Sequence, residues 1–186
     1  MNPLQRASLF RVIVHLLLPL AAASAHAGTA AASERWSAHR AWEWYNSQPW
    51  LVGFNYIPAT AINTTEFWQA DTFDRKTIDA EMALAGRTGF NCARVFLQYL
   101  VWEADPEGMK RRMAEYLELA HQHGIRTMFV LFDICNFSPF PDPFLGKQPE
   151  AIPGKYAHAW TPSPSPRLAH DRQAWPKLQA YVRDVV

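Results

Sequence analysis

Arg94 is a permanent cation inside an otherwise apolar run, Cys92-Ala93-Arg94-Val95-Phe96-Leu97. Burying it unpaired would be very costly, so it must meet a carboxylate or a dense set of acceptors, or escape to the surface. Asn55 lies next to Tyr56 in a second apolar run, and Asp133 ends a third. Three polar groups at comparable places in three such runs read as the lining of a site that works by hydrogen bonding and charge. The alternatives are a strand Arg paired with a helix acid such as Glu81, and an Asp that caps a loop turn. His121 and His123 are two residues apart on a helix and so face different directions. No Cys/His cluster, Gly-rich phosphate loop or nucleophile elbow occurs, and no metal or cofactor is expected.

The elements that must position these groups are written twice. Thr88-Gly89-Phe90-Asn91-Cys92-Ala93-Arg94-Val95-Phe96-Leu97 aligns with His123-Gly124-Ile125-Arg126-Thr127-Met128-Phe129-Val130-Leu131-Phe132, at an offset of 35 residues. In each copy a helix ends at a Gly, which takes the left-handed conformation without a Cβ penalty, and a strand-length apolar run follows. Apolar residues on both faces suggest strands covered on both sides, in a parallel α/β sheet that is either doubly wound or part of a barrel. Strands are expected at about 50–56, 92–97 and 126–132, parallel and adjacent in the order 1-2-3. A short helix is expected from Trp36 to Asn46, and a second from an Asp74 N-cap to about Thr88 with Ile78, Met82 and Ala85 on its buried face. A third begins at Pro106, presenting Met109, Met113, Tyr116, Leu117 and Ala120, and a fourth starts near Asp171. Between Ile134 and Leu168 runs a long, proline-rich excursion whose aromatics argue against disorder. All the chemically rich loops follow carboxyl ends of strands, the face where such sheets bind ligands.

The 186 residues carry a formal charge of +1. Arg6 and Arg11, the apolar run Val12 to Leu20 and Ala25-His26-Ala27 have the form of an export signal cleaved before Gly28. The run is well short of the ~20 residues that span a bilayer. Removing residues 1–27 leaves sixteen basic against seventeen acidic residues, a near-neutral protein with no electrostatic reason to favour nucleic acid or a membrane. The expected organisation is a signal at 1–27, a linker and helix at 28–49, and the main domain at 50–186, in the periplasm or outside the cell. Cys92 and Cys135 fall at opposite ends of neighbouring strands, too far apart for the ~7 Å limit of a disulfide, and are expected as unbridged, buried thiols.

Gly53-Phe54-Asn55-Tyr56, Gly89-Phe90-Asn91-Cys92-Ala93-Arg94-Val95 and Gly124 to Asp133 together resemble the opening three units of a clan A glycoside hydrolase. The likeness is greatest to glycoside hydrolase family 5 and its cellulase-like relatives, and it covers roughly residues 50–186. It implies an incomplete (β/α)8 TIM barrel and retaining hydrolysis of β-linked poly- or oligosaccharides. It also implies that Arg94 supports a nucleophilic glutamate, with Asn55 and Asp133 beside it. Tyr56, Trp68, Trp102 and Trp160 would stack on sugar rings. The family often has a His two residues beyond the strand-three Asp, where this chain has Cys135.

Retaining hydrolysis requires two carboxyl groups about 5–5.5 Å apart. In the family these are glutamates after strands four and seven, one of them in an Asn-Glu-Pro motif, and no Asn-Glu-Pro occurs here. Glu103 and Glu107 lead into a helix and Glu150 lies in the excursion, so no catalytic residue is assigned. The chain is therefore expected to stop before its catalytic pair and to be inactive alone. The alternative is a carbohydrate-binding partial barrel without catalysis. A doubly wound cofactor domain would need a phosphate loop after strand one, and Ile57-Pro58-Ala59-Thr60 is not one.

Overall fold

The computed structural model describes residues 35–155 and 157–186. The expected signal (1–27), the small-residue linker (28–33) and Tyr156 lie outside the described residues. The chain divides into two units, ending at Ser47 and beginning at Gln48. In the first, helix α1 (Ala38–Ser47) carries exposed aromatics, with Trp42 edge-on to Tyr45 and Arg40 over Trp36. Among the described residues no helix is long and apolar enough to cross a membrane.

The second unit contains a three-stranded parallel sheet in the order β1 (Gly53–Tyr56), β2 (Cys92–Phe96), β3 (Arg126–Val130). Asn55 is in register with Arg94, and Arg94 with Met128. After β1 come the short helix α2 (Thr64–Trp68) and α3 (Arg75–Arg87). After β2 come α4 (Tyr99–Ala104) and α5 (Pro106–Gln122), and the long excursion after β3 leads to α6 (Pro166–His170) and α7 (Trp175–Val185). Neither α2 nor α4 is expected from periodicity, because each is barely one turn and a half.

Local chemistry explains the main helices. Asp74 caps α3, its carboxylate accepting from the Thr77 N–H at 3.0 Å, and Asp105 caps α5 through Gly108 at 2.9 Å, with Pro106 in the first turn. Both helices end in the same Schellman closure. Phe90 N–H donates to Ala85 O at 3.1 Å and Gly89 N–H to Gly86 O. Ile125 N–H donates to Ala120 O at 2.9 Å and Gly124 N–H to His121 O. Gly89 and Gly124 have φ of 96° and 72°, the left-handed region their place in the motif requires.

Helices α3 and α5 cover one face of the sheet. Ile78, Met82, Met109, Met113 and Tyr116 pack there against Tyr56, Val95 and Phe129. Leu117, expected in this core, is exposed, and Leu119 is buried in its stead. Among the described residues of this unit no helix layer lies on the other face, where Asn55, Arg94 and Met128 are exposed, in contrast to the expectation of strands buried on both sides. The first strand is also shorter than expected. Trp50 and Val52 precede it and are held by one side chain, Asn91, which donates to Trp50 O and accepts from Val52 N–H, both at 2.8 Å. Cys92 and Cys135 are both free, but only Cys92 is half-buried; Cys135 is exposed because it follows the sheet into the excursion.

Candidate functional site

At the carboxyl ends of the strands lies a cavity of about 360 Å³ lined by Asn55, Tyr56, Ile57, Arg94, Phe96, Asp133, Cys135, Phe137 and Trp160. The three polar residues singled out in the sequence, Asn55, Arg94 and Asp133, converge on it from three different strands or their ends. Its volume falls in the range of small-ligand sites, and its wall mixes aromatic faces with few polar groups. A larger groove, about 480 Å³, runs beside Phe132, Ile134, Trp175, Leu178 and Val182. It is mainly apolar, with Gln179 and Arg183 as its polar lining residues, so the smaller cavity is the better candidate for chemistry.

Arg94 lies with its guanidinium carbon 4.6 Å from the centre of the Phe96 ring, a cation–π distance, and forms no ion pair with any described residue. Glu81, its alternative partner, is occupied elsewhere: its carboxylate accepts from Tyr56 Oη at 2.8 Å and from Ala59 N–H at 3.1 Å. Asp133 is held on every side. Its backbone exchanges two 2.7 Å hydrogen bonds with Ser163, Oδ2 accepts from Trp160 Nε1 at 2.7 Å, and Oδ1 accepts from Cys135 N–H at 3.1 Å. A hydrogen bond to the Asp133 carboxylate, followed by its charge, pushes the Cys135 thiol above its ordinary range, against the opposing pull of Arg94.

The excursion that brings Trp160 here is pinned by buried amides that sequence reasoning missed. Gln98, fully buried, caps α4 and donates from Nε2 to Thr64 Oγ1, Thr161 Oγ1 and Pro162 O at 3.0–3.3 Å. Asn63 caps α2 and donates to Gln148 Oε1 at 2.9 Å and Ala159 O at 3.2 Å. Tyr99 N–H donates to Ser163 Oγ at 2.8 Å. The signal available in the sequence was an amide directly before each short aromatic-rich segment, the position of an N-cap.

Of the four aromatic rings expected to bind, only Trp160 both lines the cavity and remains half-exposed. Tyr56 is buried, since it alternates with Asn55 and so points to the helix side, where it stacks on Tyr116 at 5.9 Å. Trp68 is fully buried, stacked on Phe67 at 4.2 Å with its Nε1–H donated to Phe96 O. Trp102 is enclosed by Tyr99, Tyr181 and the Asp184 carboxylate, outside this cavity. Trp68 has no exposed surface, while Tyr56 keeps 6% and Trp102 8% of theirs. Among the described residues no group of three or more His, Cys, Asp or Glu is placed to hold a metal.

Neither a protein-family model nor a curated protein matches this chain. Among solved structures, it is similar to the exo-beta-1,4-mannosidase Op5Man5 from Opitutaceae bacterium strain TAV5, with 26% identity and a TM-score of 0.46, over 73% of this chain. The chain spans 21% of the length of that mannosidase chain.

Proposed function

We propose that residues 50–186 form the first three βα units of a clan A, family 5-like glycoside hydrolase barrel, and that the cavity at the strand ends is a sugar subsite. The observation that carries this reading is the convergence of Asn55, Arg94, Asp133 and Trp160 on one cavity at the carboxyl edge of a parallel sheet. Its second support is the Gly89-Phe90-Asn91-Cys92-Ala93-Arg94-Val95 motif that opens β2. An aromatic wall beside an Arg and an amide suits a hydroxyl-rich ring, which offers C–H groups to the indole and oxygens to the donors. In this reading Arg94 is the group that holds a catalytic glutamate in a whole barrel, and the substrate is a β-linked poly- or oligosaccharide met after export, with the signal removed before Gly28.

A specific observation favours carbohydrate binding without catalysis for these 186 residues. Among the described residues Asp133 is the only carboxylate lining the cavity, and both its oxygens are already hydrogen-bonded. Glu103 bonds Tyr99 Oη and Lys177, Glu107 pairs with Lys110, and Glu150 pairs with Lys147, none of them on the cavity wall. Hydrolysis with retention would need a facing carboxyl pair. The test is titration of the chain with mannohexaose, cellohexaose and xylohexaose, with a turnover screen in parallel. Saturable binding without turnover supports the reading. Absence of binding to every β-linked sugar sinks the subsite, and turnover abolished by Glu103→Gln or Glu150→Gln sinks the non-catalytic form.

A further inference from the structure

We propose that Asp133 is a positioning residue, whose carboxylate fixes the Trp160 indole as the aromatic wall of the cavity and does not itself contact the ligand. This role rests on the sugar-subsite reading above. The backbone of Trp160 is already fixed, because its carbonyl accepts from Phe137 N–H at 2.9 Å and Ser138 N–H at 3.0 Å. The remaining freedom is rotation of the side chain, which is half-buried and edge-on to Phe96 with ring centres 5.0 Å apart. The hydrogen bond from Nε1 to Asp133 Oδ2, at 2.7 Å, selects one orientation. Asp133 can serve as an anchor because its own backbone is paired twice with Ser163, and Ser163 Oγ is in turn tied to Tyr99 N–H.

Each oxygen of the Asp133 carboxylate already has a partner, which lowers its availability to a ligand. One carboxylate oxygen is taken by the indole and the other by Cys135 N–H. Arg94 is not paired with it, so the cation and Asn55, which line the same cavity, are left as polar groups for a ligand. A ring held in place before binding loses less rotational freedom when the ligand arrives, which corresponds to roughly 2- to 10-fold in affinity for one immobilised side chain.

The full chain, labelled with 15N, provides a readout that needs no sugar. Trp160→Phe identifies the Trp160 Nε1–H resonance by its loss and keeps an aromatic ring without the donor. Asp133→Ala is expected to shift that resonance and speed its exchange with solvent, and Asp133→Asn, which retains an acceptor oxygen, to shift it less. Titration with mannohexaose, cellohexaose and xylohexaose then separates the roles. Asp133→Ala is expected to weaken binding about 2- to 10-fold in the parent and to add nothing in the Trp160→Phe background. Equal weakening in both backgrounds, or an indole resonance unmoved by Asp133→Ala, overturns the proposal. If no sugar binds the parent chain, the subsite reading and the benefit to affinity both fail, while the resonance still decides whether Asp133 holds the ring. Should Asp133→Ala fail to fold, Asp133→Asn carries both measurements.

Discussion

Asn55 and Arg94 stand opposite one another across the β1–β2 pairing, on the sheet face that the helices leave open. Their neighbours Tyr56 and Val95 are register partners too, and both are buried on the helix face. One strand alternation thus divides core from site. Because Arg94 is exposed and forms no ion pair with any described residue, Arg94→Ala should cost less than about 1 kcal/mol of stability, the worth of its contact with Phe96. Under the proposed function, sugar binding should fall about tenfold or more, since a hydrogen bond from a charged donor is worth about 1.5–3 kcal/mol. Urea melts and oligosaccharide titration of the same variant separate the two effects, and unchanged affinity would remove Arg94 from the site.

Gln98 should behave in the opposite way. It is fully buried, and replacing it with Leu strands Thr64 Oγ1, Thr161 Oγ1 and Pro162 O around an apolar side chain. Gln98→Leu is expected to destabilise by about 1–3 kcal/mol. Amide exchange should rise in the segment around Thr161 to Ser163 before it rises in β2. A melt unchanged within error would show that the excursion is held without this hub.

Cys135 reports on Asp133 chemically. The carboxylate raises the thiol pKa, so at a given neutral pH less thiolate is present than for an ordinary cysteine. Alkylation by iodoacetamide should therefore be slow for an exposed thiol and should accelerate in Asp133→Asn. The rate-against-pH curve should move to lower pH in that variant. Measuring it in a Cys92→Ser background isolates the one thiol, and an unshifted curve would deny the coupling.

The paired helix ends offer a test of the repeat. Nothing lies within 4 Å of where a Cβ would stand on Gly89 or Gly124, so substitution there meets no clash, only the cost of the left-handed backbone. Gly89→Ala and Gly124→Ala should each lose about 1–2 kcal/mol. Gly86 is the contrasting control: a Cβ there would lie 2.6 Å from His123 O, a backbone clash. If Gly89→Ala and Gly124→Ala leave the urea midpoint unmoved, the Schellman closures do not need glycine.

Much of the frame was legible in the sequence because it is set by local chemistry. The Asp74 cap, Pro106 in a first turn and the repeated Gly each act within a few residues of the chain, and they fix where α3 and α5 begin and end. The polar residues of the cavity were legible for a related reason: an Arg, an Asn and an Asp in apolar runs are conspicuous whatever surrounds them. Which aromatic rings are open was not legible, since burial depends on partners far along the chain. Trp68 spends its indole N–H on Phe96, 28 residues away, and Trp102 spends its own on Asp184, 82 residues away. The burial of Tyr56 could have been read from sequence alone, by setting Asn55 and Arg94 on one face and counting the alternation. Trp160 could not have been chosen that way: its place on the cavity wall depends on Asp133, Ser163 and the buried amides Asn63 and Gln98, and only the folded chain brings these together.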